Sequence, residues 1–132
     1  MGLNYDKNEP TISIKKHLRS QKYAWRGVLK IFDHEGNFRI EVLAAVVSIL
    51  MSHFLGVTNY EFALIFFCIG LVLIIETING VVELLCDIIT TDYRKDIEYA
   101  KDAMAAAVLM SAITACVVGI LIWSPYIIEI FV

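Results

Sequence analysis

The chain lacks the common signatures of a soluble nucleotide-binding domain: it has no Walker A string, no protein-kinase glycine loop and no dinucleotide fingerprint. Any nucleotide it takes must therefore sit in an unorthodox site. Cys68, Cys86 and Cys116 lie in apolar stretches without metal-ligand spacing and imply no disulfide. His17, His34 and His53 each stand alone, and a lone histidine is more often a surface or packing residue than a ligand. Charge is missing over long distances. No charged residue occurs from Phe62 to Ile75 or from Ala103 to Ile128, and between Val42 and Val57 only His53 can carry one. The opening residues, by contrast, are studded with charges and have no continuous apolar core, so no secretory signal peptide is expected there.

What remains is largely hydrocarbon. Hydrophobic residues make up 58% of 132, and the mean hydropathy of +0.68 is hard to reconcile with a soluble domain of this size. The expected fold is an all-α integral membrane protein, a single membrane domain over 1–132. Transmembrane helices are expected at about 38–57, 62–89 and 101–128. Ahead of them, residues 11–34 mix apolar, aromatic and basic side chains at helical spacing. Ile14, Leu18, Trp25, Val28 and Phe32 suit a helix lying on the membrane surface, with its lysines and arginines meeting anionic phosphates. Those cations serve either as a membrane anchor or, in part, as nucleotide contacts. All eleven Lys and Arg fall before the first span or between the second and third, with Arg39 and Glu41 at the entry to the first. The positive-inside rule then puts the amino terminus and the 90–102 loop in the cytoplasm.

Into this apolar background Glu76, Asn79, Glu83 and Asp87 bring polar groups at intervals of three, four and four, on one helix face. A charge at the bilayer centre costs ~2.5–3.5 kcal/mol even on the mild insertion scale, so such a stripe points to function. A span beginning at Phe62 would end near Val81, leaving Glu83 at the interface and Glu76 roughly 10 Å deeper, where lipid hydroxyls reside. The competing reading makes these carboxylates protonated or paired groups that glue helices together.

A second polar cluster lies on the same side of the membrane. The segment from Thr90 to Tyr99 leads to Lys101 and Asp102 at the mouth of the third span. Phosphoryl transfer needs a base for the attacking hydroxyl, carboxylates for Mg²⁺ and cations for phosphate oxygens, and the chain offers each. Glu76 suits the base, Glu35 and Glu83 the metal, and Lys101 the phosphate, although Lys101 also fits a plain positive-inside anchor.

The string Asn37-Phe38-Arg39 after Glu35, the run from Glu76 to Glu83 with Asp87, and Ala100-Lys101-Asp102-Ala103 with the small residues after it together resemble the prokaryotic diacylglycerol kinase family, which includes undecaprenol kinases. The resemblance covers nearly the whole chain. It implies a small homotrimeric membrane enzyme of the bacterial inner membrane, with the N-terminus cytoplasmic, that uses MgATP to phosphorylate a lipid alcohol. It further implies Glu76 as general base, Glu35 and Glu83 as Mg²⁺ ligands, and Asn79 and Lys101 as the rest of the catalytic core. Asp102, Asp92, Tyr93 and Arg94, with Lys16 and Tyr23 of the surface helix, would support the nucleotide. Lys16, Arg39 and Glu41 would meet the lipid.

Some positions depart from the family pattern. Gly80 stands where small or hydroxyl residues are usual, Ala105 replaces a serine of some members, and Lys16 and Arg94 occupy Arg and His positions. Diacylglycerol is the expected acceptor, from Glu41 and the Tyr23-Ala24-Trp25-Arg26-Gly27 string, while Asn37-Phe38-Arg39 is familiar from the undecaprenol branch. A rival class, a small ion or proton carrier, meets a polar stripe that stops near Glu76. An anchoring subunit without chemistry leaves Glu76 and Glu83 unexplained.

Overall fold

The computed structural model describes residues 14–90 and 92–132, with the side chains of Lys15 and Lys16 outside the described set. Four helices make up the regular structure: α1 (Ile14–His34), α2 (Gly36–Leu55), α3 (Asn59–Ile89) and α4 (Lys95–Phe131). Two units are distinguished, one ending at His34 and the other beginning at Glu35.

Within the first unit, α1 displays Ile14, Leu18, Trp25, Val28, Leu29 and Phe32 as exposed side chains. Steps of three, four and seven along a helix keep such residues on one side, the arrangement of an interfacial helix. The Arg26 guanidinium lies 6.0 Å from the centre of the Tyr23 ring. Residues 11–13, assigned to this helix from the sequence, lie outside the described residues.

In the second unit, α2, α3 and α4 are each long and apolar enough to cross a membrane. Their 20, 31 and 37 residues correspond to about 30, 46 and 55 Å at roughly 1.5 Å per residue, against ~30 Å of hydrocarbon. Most of their large apolar side chains are exposed in the isolated chain, as befits a surface solvated by lipid. α3 packs chiefly on α4, and α2 packs on α3.

The ends of the helices have local causes. α2 stops at Gly56, whose φ of 67° is the left-handed conformation. There Gly56 N–H donates to the His53 carbonyl and Val57 N–H to the Ser52 carbonyl, the Schellman pattern. α3 starts at Asn59, earlier than the 62 expected, because Thr58 and Glu61 form a capping box: Glu61 N–H donates to Thr58 Oγ1 and Thr58 N–H to Glu61 Oε2. α4 starts at Lys95, ahead of the 101 expected. Asp96 and Glu98 in its first turn complement the positive end of the helix dipole, so the polar segment before Lys101 continues as helix.

Two ties hold α3 and α4 antiparallel. At one end the Tyr126 hydroxyl donates to Glu61 Oε2 at 2.6 Å; at the other Lys101 Nζ pairs with Asp87 Oδ1 at 2.6 Å. Between them run 26 residues of α3 (87 − 61) and 25 of α4 (126 − 101), about 39 and 38 Å of helix. Near the first tie, Trp123 Nε1–H donates to Oγ of the fully buried Ser52, joining α4 to α2. Gly119 makes room for that indole: a Cβ there would stand 2.9 Å from the Trp123 ring.

Candidate active site

Glu76 sits 17 residues into α3 from Asn59, about 26 Å along the axis and so just inside the far edge of a ~30 Å hydrocarbon layer. This is shallower than a span starting at Phe62 implies. The side chain is 2% exposed, and its Oε2 is buried without a hydrogen-bond partner. Glu35, Glu83 and the Asn37 amide are its polar neighbours, and its charge also reaches Glu41. Glu41 Oε2 and Asn79 Oδ1 are likewise buried and unpartnered. Each such orphan costs about 1–3 kcal/mol, and three around one level of the membrane mark a site built to meet something else.

The local placement follows from the helices. Glu76, Gly80 and Glu83 share a stripe at i, i+4 and i+7. Asn79 is 7% exposed, and its Nδ2 donates to Glu83 Oε1 at 3.2 Å. This bond orients the Glu83 carboxylate. Glu35 is the N-cap of α2, with extended backbone (φ −97°, ψ 113°), yet its side chain makes no capping bond. It lies instead against α3 at Gly80. Arg39 and Glu41, two residues apart and thus about 200° around α2, diverge: Arg39 is exposed, with its guanidinium near Gly36, whereas Glu41 turns inward. Glu41 stands at a largely apolar cleft of about 200 Å³ lined by Ala44, Ala45 and Ser48 of α2, residues of α3, and Ala112, Ala115 and Cys116 of α4.

Beyond the membrane edge a polar cavity of about 390 Å³ is lined by Asp87, Thr90, Asp92, Tyr93, Arg94, Lys101 and Asp102, among others. Its volume falls in the range of small-molecule sites. Its charged walls are held by local pairs. Arg94 makes a bidentate pair with Asp96, at 3.1 and 2.5 Å, and the Tyr93 hydroxyl donates to Glu98 Oε2 at 2.7 Å. That bond raises the Tyr93 phenol above its ordinary pKa. The Arg94 pair is exposed on both sides, and surface pairs of this kind contribute little to stability. An incoming phosphate can displace them at little cost.

Among the described residues no three acidic, histidine or cysteine side chains converge to cage a metal. The donor set still fits Mg²⁺, which takes one or two carboxylates together with substrate phosphates rather than an all-protein cage. Glu35, lying against Gly80, and Glu83, three residues further along α3, would offer it hard carboxylate oxygens.

The structure thus brings Glu35, Glu76, Asn79, Glu83 and Glu41 together along one side of α3, over about two turns of helix, and Asp92, Tyr93, Arg94, Lys101 and Asp102 to one cavity. Tyr23 belongs to the other unit, and the Lys16 side chain lies outside the described residues. Sequence reasoning missed the neighbours: Asp87 as partner of Lys101, Asn37 beside Glu76, and Gly80 beneath Glu35. Asp87 and Asn37 stand in the strings that carry the family resemblance and Gly80 departs from it, but no spacing along the chain linked them to these partners.

Comparison with known proteins gives the family of the chain. The family model described as prokaryotic diacylglycerol kinase matches residues 22–123. An undecaprenol kinase of Bacillus subtilis (strain 168) is 28% identical over 120 residues, covering 91% of this chain and 98% of its own. Diacylglycerol kinases are similar as well: that of Escherichia coli (strain K12) is 29% identical over 117 residues (88% and 96% of the two chains), and that of Haemophilus influenzae is 34% identical over 113 (86% and 92%). With a match over most of its length and its membrane helices and carboxylate stripe in place, the chain belongs to the prokaryotic diacylglycerol kinase family.

Proposed function

We propose that the protein transfers the γ-phosphate of ATP to the primary hydroxyl of diacylglycerol, giving phosphatidic acid, at the cytoplasmic surface of the bacterial inner membrane. The observation that carries this reading is Glu76, a buried carboxylate with an unpartnered oxygen near the depth where a lipid hydroxyl lies. Its Oε2 takes the acceptor proton as general base, a role that typically contributes 10²–10⁴-fold. Asn79 holds Glu83 in place, and Lys101, near Glu83 and tied to Asp87, faces the transferring phosphate from the cavity side. Glu35 and Glu83 hold Mg²⁺, which when bound neutralises charge on the nucleotide phosphates. The cavity around Arg94, Asp92, Tyr93 and Asp102 takes the nucleotide, and Glu41 and Arg39 meet the lipid.

The active unit is a homotrimer. The exposed apolar faces of α2–α4 support it, since neighbouring copies can cover helix surface that a lone chain leaves open. The N-terminus is cytoplasmic, because the Lys and Arg residues cluster before α2 and around the α3–α4 loop.

Undecaprenol is the second acceptor to weigh, given the Bacillus subtilis relative. The test is incubation of purified protein with labelled ATP and a panel of lipid alcohols in mixed micelles. Label in phosphatidic acid is expected. Label in the polyprenyl phosphate alone overturns the acceptor, and no labelled lipid at all overturns the kinase reading.

A further inference from the structure

We infer that Gly80 is a positioning residue: its missing side chain is the seat in which Glu35 of α2 lies against α3, between Glu76 and Glu83. This rests on the proposed role of Glu35 as a ligand of the metal–nucleotide complex. Gly80 lies inside α3, where glycine is an unfavourable residue, and its backbone does not require it, because Gly56 alone among the described residues has positive φ. Space accounts for it. A Cβ built on Gly80 would stand 3.2 Å from Glu35 Oε1, 3.4 Å from Cδ and 3.5 Å from Cγ, so its three nearest neighbours all belong to one carboxylate side chain. At Gly70 of the same helix, an added Cβ meets nothing within 4 Å.

Glu35 is also free to take this seat. As N-cap of α2 its usual work is to accept a hydrogen bond from its own helix, and it makes none. The stripe of Glu76, Gly80 and Glu83 therefore alternates carboxylate, gap, carboxylate, and the gap receives a carboxylate from another helix. A methyl group there pushes the Glu35 carboxylate outward by a few tenths of an ångström and moves a hard-metal ligand off its position without removing any charge.

The test measures binding of the manganese complex of a non-hydrolysable ATP analogue, by electron paramagnetic resonance titration, to the full chain, Gly80→Ala, Glu35→Ala and the double variant. Phosphate transfer and the thermal midpoint are recorded alongside. Because alanine is the better helix former, Gly80→Ala keeps or raises the midpoint. Its metal–nucleotide affinity and its kcat/KM for MgATP fall by about 10-fold, as for other residues that orient a metal ligand. In the Glu35→Ala background the same substitution changes neither, since it acts only through Glu35. Wild-type binding with an undiminished Gly80→Ala, or an equal loss in both backgrounds, overturns the positioning role while leaving the kinase reading intact. Failure of the wild type to bind the complex overturns both.

Discussion

Replacing Glu76 by glutamine should make the protein more stable and nearly inactive at once. Glutamine keeps the volume and shape of the side chain and removes one charge from a cluster that includes Glu35 and Glu83. At an effective dielectric of about 20, two like charges ~10 Å apart, the spacing of seven residues along a helix, repel by about 332/(20 × 10) ≈ 1.7 kcal/mol. Glu35 and Glu83 are only half-buried and water screens part of this, leaving a net gain of ~1 kcal/mol or more. For a chain of 132 residues that is a rise of about 4 °C in the unfolding midpoint. Turnover moves the other way. Loss of a general base lowers it ~10²-fold or more, equivalent to about 2.7 kcal/mol of barrier. Tryptophan fluorescence during heating of the detergent-solubilised protein reads the first quantity, and transfer of labelled phosphate to lipid reads the second. A lowered midpoint refutes the charge cluster, and near-normal turnover refutes the base.

The metal assignment predicts that Glu35→Ala and Glu83→Ala each weaken MgATP binding by ~10-fold or more while the protein without nucleotide binds Mg²⁺ poorly; tight nucleotide-free binding in calorimetry argues against it. Lys101→Met removes the phosphate cation and the partner of Asp87. Because the pair is substantially exposed, the unfolding midpoint should barely move while turnover collapses, and a large destabilisation with activity retained makes Lys101 a structural anchor. Trp123→Phe deletes the indole donor to buried Ser52; chemical unfolding should show a loss of ~1 kcal/mol with kcat unchanged. The trimer predicts that inactive Glu76→Gln chains mixed with inactive Glu83→Ala chains recover activity where the two residues serve different sites, and fully active monomers in native mass spectrometry contradict it.

Much of this protein is written locally in its chain. In hydrocarbon a helix must satisfy its own backbone hydrogen bonds, so each span is one contiguous apolar stretch, and α2, α3 and α4 could be placed by reading along the sequence. The stripe of Glu76, Asn79 and Glu83 was readable for the same reason: a period of three and four residues sets a face without knowledge of any neighbour. The helix starts were read less well, because caps such as Thr58–Glu61 and the acidic first turn of α4 are decided by a few side-chain bonds rather than by hydrophobicity.

What only the tertiary structure decided is which groups meet across helices. Glu35 and Gly80 are 45 positions apart (80 − 35), and no periodicity links them; they meet because α2 packs on α3 and a missing Cβ leaves room for a carboxylate. Asp87 became the partner of Lys101, and Glu41 turned inward while Arg39 turned out, through the rotation of each helix about its axis. A hydropathy pattern sets how deep a residue lies, but lipid surrounds the helices evenly and does not fix that rotation. Side-chain packing between the helices fixes it, and with it the geometry of the site.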